Sequence, residues 1–230
     1  MCGRFTQAYT WAEVEAYLNL LGPPRNLRPR YNIAPTTTID VLRREEGGRL
    51  LVPMRWGLVP SWWKKPLKEL PATFNARAET VAEKPMFRTA FKSRRCIIPA
   101  SGFFEWTGRA GGKIPHYFSR VDGRPLAFAG LWESWRDLEA ADTVLSATII
   151  VGPANSWMTS FHDRMPILLA PAHFDEWLSG PDPTALLTPP PDDFLREWLV
   201  STRVNRSGVG DDDPTMIDQI SNPNSFGPDL

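Results

Sequence analysis

Cysteine is scarce in this chain: of 230 residues only Cys2 and Cys96 carry thiols. Two cysteines make no disulfide framework. Histidine is nearly as rare, and His116, His162 and His173 are scattered without the spacing of a zinc site. No metal centre and no cofactor are expected. Long apolar runs are also missing, so no membrane span and no apolar leader are read, and a cytoplasmic protein is expected. Net charge is lacking too, with 26 basic residues against 26 acidic ones. That balance argues against a non-specific nucleic-acid coat but leaves room for a local basic groove. There is no glycine-rich phosphate loop, no nucleophile elbow and no internal repeat.

What is abundant is tryptophan and arginine. Ten tryptophans are present, several beside arginine or proline, where base stacking is as open as core packing. Arginine makes up 20 of the 26 basic residues, which suits bidentate phosphate recognition as well as it suits a GC-rich coding sequence. Apolar content of 42% and charged content of 23% describe a globular chain long enough for one good core.

Coarse patterning gives an α+β domain around a curved, mostly antiparallel sheet with peripheral helices. Thr10 and Glu13 form a capping-box pattern that opens a helix to about Leu20. Gly47-Gly48 separates two strands, Thr38–Glu45 and Arg49–Trp56. A long ordered loop is expected over 57–74 and a helix from Glu79 to about Lys92, broken at Pro85. Strands follow at Arg95–Pro99, Phe103–Thr107, Pro115–Arg120, Leu126–Trp132 and Thr143–Val151. Beyond them come a helix at Asn155–Phe161, a strand at Met165–Leu169, a helix at Pro171–Leu178 and a last strand at Leu199–Val204. The domain is bounded at 2–206, and the acidic, Pro/Asn-rich stretch 207–230 is expected to be a disordered tail.

Position 2 is the most informative residue. Aminopeptidases remove Met1 readily before a small residue, so the mature chain is expected to begin at Cys2. An α-amine of pKa about 7.8 leaves roughly one molecule in seven neutral at pH 7, against well under one in a thousand for lysine. Amine and thiol together form a 1,2-aminothiol. It condenses with an aldehyde to an imine, which the neighbouring thiol closes to a thiazolidine with the advantage of an intramolecular step.

Three further clusters carry polar chemistry. Asn75-Ala76-Arg77-Ala78-Glu79 joins an amide to a guanidinium, or simply caps a helix. Glu105, inside Gly102-Phe103-Phe104-Glu105-Trp106, is either a buried carboxyl of raised pKa suited to acid–base work or a residue on the solvent face of an alternating strand. His162-Asp163-Arg164-Met165-Pro166 places an imidazole, an anion and a cation together.

Met1-Cys2-Gly3-Arg4-Phe5, Tyr31-Asn32-Ile33-Ala34-Pro35, Arg55-Trp56-Gly57-Leu58-Val59-Pro60, Asn75 to Thr80, Arg95 to Ala100, Gly102 to Trp106 and His162 to Pro166 occur in one order. That order resembles the SRAP (SOS-response-associated peptidase) family of abasic-site processing proteins, over about residues 2 to 206. The resemblance implies a DNA damage response protein that links covalently to abasic sites in single-stranded DNA through a Cys2 thiazolidine, with a weak lyase side reaction. It implies Glu105 as the acid–base group, His162 near the sugar and phosphate, and Asn75 orienting the Cys2 end. Arg4, Arg77 and Arg164 are implied as phosphate contacts, and Trp62 and Trp63 as an aromatic pair against bases or at a single-strand/duplex junction. A monomer, associated with the nucleoid when on DNA, is the expectation. Where many members have threonine this chain has Val151, so a hydroxyl contact is expected to be absent unless Ser156 or Thr159 supplies it. The family name also records a peptidase; with only Met1 ahead of Cys2, no protease is expected to be needed. Two other readings stay open: a non-covalent single-strand-binding module, and a hydrolase in which the amine activates the Cys2 thiol against an amide.

Overall fold

The computed structural model describes residues 2–108, 112–137 and 142–221. Its strands divide into two sheets, with short helices at the edges. The first sheet is antiparallel, in the order β12 (Leu195–Leu199), β8 (Ile114–Arg120), β7 (Gly102–Thr107), β1 (Phe5–Gln7), β2 (Arg30–Ile33). The second closes on itself through β10 (Thr143–Pro153), β4 (Gly48–Trp56), β3 (Thr38–Glu45), β6 (Arg95–Ala100) and β9 (Leu126–Arg136), because β9 pairs back onto β10. Two short strands, β5 (Asn75–Arg77) and β11 (Arg164–Pro166), also lie on β10. The pairings of β10 with β4 and β5 are parallel and the rest are antiparallel. The α+β class and the mostly antiparallel pairing therefore hold.

Local chemistry accounts for several elements. Helix α1 (Trp11–Leu18) starts where the Glu13 carboxylate accepts the Thr10 N–H at 2.7 Å and Thr10 Oγ1 accepts the Glu13 N–H at 3.2 Å. Its apolar face buries Val14 and Leu18, one turn apart. The β3–β4 turn depends on Gly48, at φ +153°, where a Cβ would stand 2.2 Å from Leu21. Inside the closed sheet Trp56 is fully buried, donates Nε1–H to the Phe74 carbonyl at 2.9 Å and meets Phe5 edge-on at 4.9 Å. Phe103 and Phe118 stack at 5.1 Å on the face of the first sheet turned toward that barrel. Phe104 and Tyr117 cluster on the opposite face with Val200, Val204 and Met216.

Several expected elements differ. Asn75–Arg77 is a strand, followed by a single 3₁₀ turn at Ala78–Thr80 rather than a helix. Helix α2 is confined to Arg88–Ser93, beyond Pro85. The expected helix at 155–161 contracts to a 3₁₀ turn at Met158–Ser160. Expected strand Leu199–Val204 is displaced: β12 ends at Leu199, and Thr202–Asn205 is a 3₁₀ turn. The Pro171–Leu178 helix is a 3₁₀ turn leading into α3 (Phe174–Ser179).

The largest difference concerns the stretch after Ser207, read as a disordered tail. Residues 208–221 pack onto the domain, with Met216 fully buried. Asp211 accepts from Arg30 Nε at 2.7 Å and from the Asn32 N–H at 3.1 Å, while its carbonyl accepts the Tyr31 N–H at 2.7 Å. Asp211 is thus bound by β2, and Asp213 pairs with Arg203. The last nine residues of the expected tail, 222–230, lie outside the described residues. Among the described residues no helix is long and apolar enough to cross a membrane.

Candidate active site at the sheet–barrel junction

Cys2 lies just ahead of β1, with no exposed surface. Its carbonyl accepts Asn75 Nδ2–H at 2.7 Å. Asn75 is brought there by the parallel pairing of β5 with β10, in which Ile149 stands opposite Asn75 and Val151 opposite Arg77. The barrel thus holds the backbone of Cys2 from one side. The other Asn75 amide atom, Oδ1, is buried with no partner among the described residues, an acceptor left for a donor.

The first sheet supplies the carboxyl. β1 and β7 pair antiparallel with Phe5 opposite Phe103, a register that leads Glu105 toward the Gly3 end. Glu105 is 2% exposed, so the buried reading of that strand is the one realised. Burial is the main reason its pKa rises to about 7; the charge of the amino terminus opposes the rise and the Asp163 charge adds to it. The Cys2 thiol is pushed well above its ordinary value, first by burial and then by the Glu105 charge. The pairing of β1 with β7, which runs Glu105 toward Gly3, keeps the two groups in one neighbourhood.

Glu105, His162, Arg4 and Gly3 line one cleft of about 400 Å³. His162 Nδ1 accepts the Arg164 N–H at 2.9 Å and also stands 2.8 Å from Asp163 Oδ1. These contacts belong to different protonation states: the neutral nitrogen takes the amide proton, and the protonated one turns to the carboxylate. Burial, followed by the charge of the amino terminus, lowers the His162 pKa, which favours the neutral ring with its proton on Nε2.

The arginines are disposed differently. Arg4 is 7% exposed and donates to Asn32 Oδ1 at 2.5 Å, the Val204 carbonyl at 2.9 Å and Ser207 Oγ at 2.8 Å. Arg164 pairs with Glu79 through a short contact. Arg77 is exposed. Trp62 is half exposed, and Trp63, less so, lies 6.2 Å from it and accepts Trp135 Nε1–H on its carbonyl at 2.7 Å. Neither tryptophan lines the cleft. Val151 is fully buried in the barrel core, and Thr159, whose hydroxyl donates to the Ser156 carbonyl at 2.6 Å, is exposed.

Residues that the sequence did not single out complete the cleft: Trp106, Lys113 and Asn205. Trp106 Nε1–H donates to Asn205 Oδ1 at 2.6 Å, and Asn205 Nδ2–H donates to the Lys113 carbonyl at 3.3 Å. The one signal for Lys113 was its place beside the glycine-rich turn between two strands. Among the described residues no group of three or more His, Cys, Asp or Glu side chains is arranged to hold a metal ion.

Comparison with known proteins bears on the family and the fold. The chain is 37% identical over 213 residues to the abasic site processing protein YoaM of Bacillus subtilis, covering 89% of this chain and 93% of that protein. It is 34% identical over 186 residues to the abasic site processing protein YedK of Escherichia coli, covering 77% and 79%. A crystal structure of a protein from Bordetella bronchiseptica superposes with a TM-score of 0.77 at 28% identity, over 86% of this chain and 99% of that one. One from Bacteroides thetaiotaomicron shares the fold, with a TM-score of 0.80 at 23% identity over 95% and 100%. The model of the SOS response associated peptidase (SRAP) family matches residues 1–207, and the chain belongs to that family.

Proposed function

We propose that this protein acts in the response to DNA damage by joining itself to abasic sites in single-stranded DNA through Cys2. The substrate class comes from relatives named abasic site processing proteins. The chemistry comes from the site. An abasic sugar is mostly a closed hemiacetal, so its ring oxygen must be protonated before an aldehyde is available. Once Met1 is removed, the Cys2 amine adds to that aldehyde and water leaves, giving an imine. The thiol then adds to the imine carbon while its proton passes to nitrogen, closing a thiazolidine with net loss of one water.

The observation that carries this reading is Glu105, a carboxyl with a pKa of about 7 on the cleft that also couples to the Cys2 thiol. Near neutrality it is present in both forms. The acid protonates the ring oxygen, and the carboxylate takes protons from the amine or the thiol in turn. Because the buried thiol stays protonated, attack by the amine comes first. Asn75 holds the Cys2 carbonyl and offers Oδ1 to the nitrogen that reacts. The neutral His162 ring takes part in proton transfer at the sugar, and loss of the 3′ phosphate from an uncaptured imine accounts for a lyase branch.

Arg77 is free to meet a phosphate at the surface, whereas Arg164 must leave Glu79 and Arg4 contributes through the part of the cleft it lines. Trp62 and Trp63 supply stacking surface for neighbouring bases. Intact mass before and after incubation with an abasic single-stranded oligonucleotide tests the reading. The expected product is protein without Met1 plus oligonucleotide minus one water, stable to heat and absent in Cys2→Ala. An exposed amino-terminal Cys2 that forms no adduct would favour the non-covalent binding module. Cleavage of an amide substrate dependent on Cys2 would favour the hydrolase.

A further inference from the structure

His116 belongs to none of the clusters above, yet it is the side chain best tied into the wall behind the site. It stands directly opposite Glu105 in the β7–β8 pairing, and directly opposed residues of an antiparallel pair share a face, with Cβ atoms about 5 Å apart. It is 8% exposed and both ring nitrogens are engaged: Nε2 with Thr107 Oγ1 at 2.7 Å, and Nδ1 with Glu197 Oε1 of β12 at 2.5 Å. Phe161 meets the His116 ring edge-on at 5.1 Å and immediately precedes His162. One imidazole therefore touches the supports of both acid–base groups on the cleft.

Hydroxyl, imidazole and carboxylate in line at these distances have the outline of a nucleophilic triad. Thr107, however, does not line the cleft, so the arrangement presents no nucleophile to it and its effect falls on its neighbours. We infer that His116, clamped between Thr107 and Glu197, is a positioning residue for Glu105, and that the His116–Glu197 pair sets the pH at which Glu105 exchanges its proton. This rests on the proposed role of Glu105 for its functional meaning, but not for its measurement.

The charged and titratable groups around His116 are few. β7 brings Glu105 and β12 brings Glu197. The segment after β10 brings His162 and Asp163, and Lys113 stands just ahead of β8. The Thr202–Asn205 turn packed on β8 brings Arg203, already paired with Asp213 at 2.5 Å. Glu197 is thus the carboxylate bound to His116, and its effect has a fixed sign as long as the ring keeps its protonation state. Replacing the carboxylate by an amide removes one negative charge near Glu105, so Glu105 should ionise at lower pH.

The test follows the Glu105 carboxyl by carbon NMR across pH 5 to 9 in the full-length protein, in wild type, Glu197→Gln, Glu197→Asp and His116→Gln, with thermal unfolding as a check on folding. Glu197→Gln should lower the Glu105 midpoint, Glu197→Asp should restore it, and His116→Gln, which removes the clamp beside Glu105, should move it as well. The pH profile of adduct formation with an abasic oligonucleotide should move with the midpoint. Folded Glu197→Gln protein with an unmoved Glu105 titration would overturn the inference. A wild-type protein that forms no adduct, but whose Glu105 midpoint still responds to Glu197→Gln, would overturn the proposed function and leave the inference standing.

Discussion

The regions around the two cysteines look alike by burial and differ in everything that makes a thiol useful. Cys2 and Cys96 are both fully enclosed, both pack in the same apolar cluster, and burial raises the pKa of both. Cys96 lies in mid-strand on β6, where its sulfur would stand 3.0 Å from a Cβ added at Gly130. Burial is the one cause of its shift. Beside Cys2 stand an amide holding its backbone and, from the next residue Gly3 onward, a cleft lined by a carboxyl that titrates near neutrality. Burial by itself silences a thiol. Polar groups placed within the burial are what the chemistry proposed at Cys2 draws on.

The widest separation of the two regions should come from deleting each sulfur. Cys2→Ala should abolish the heat-stable cross-link completely, whereas Cys96→Ala should keep it and lose about 1–2 kcal/mol of stability to the cavity, read by intact mass and urea unfolding. A cross-link that depended on Cys96 would break the comparison.

The next effect should come from Glu105→Gln, which leaves the Cys96 region untouched. Adduct formation should slow by about 10²–10⁴-fold, and the turnover of the wild-type rate near pH 7 should disappear from the profile. Stability should move the other way. The folded-state pKa of Glu105 lies above its ordinary value of 4.5, at about 7, so wild type is most favoured below the lower value and loses stability as pH rises between the two. The loss amounts to about 3 kcal/mol. Glu105→Gln should therefore gain stability relative to wild type at pH 8 but not at pH 4, in unfolding curves at both.

A smaller effect is expected from Asn75→Ala, which frees the Cys2 carbonyl. Losing a buried hydrogen bond costs about 1–3 kcal/mol, so adduct formation should fall roughly 10- to 100-fold in stopped-time assays, with alkylation of Cys96 in unfolded protein unchanged. Trp62→Ala should have the smallest effect: weaker binding of undamaged single strands by about 1–2 kcal/mol in fluorescence titrations and an unchanged thermal midpoint, because half of that ring is already in solvent.

The elements written in local chemistry were legible before the structure: the capping box of α1, the β3–β4 hairpin around its glycines, and the run of strands from β6 to β10. What could not be read was decided by partners distant in sequence. Asn75-Ala76-Arg77 is too short to show a period, and it is a strand because β10 lies beside it. The stretch after Ser207 is as polar as a disordered tail, and it packs on the domain where Arg30 and the β2 backbone bind Asp211 and Arg203 binds Asp213. Glu105 was visible as a candidate, but its alternating strand allowed either face until the barrel covered one. His116 gave no local signal, since its meaning lies in Glu105, Thr107 and Glu197 on strands around it.

The clasp on Arg4 has a consequence in time. The side chain two residues from Cys2 is fastened by groups at positions 204 and 207, and β1 itself pairs with residues near 33 and 103. During synthesis the beginning of the chain therefore waits for its end. At about 5–20 residues per second, the interval is on the order of ten to forty seconds, during which the amino terminus has left the ribosome without its final enclosure. An enzyme that trims the first residue has that interval in which to work, and completion of the chain then closes the wall behind the newly exposed amine.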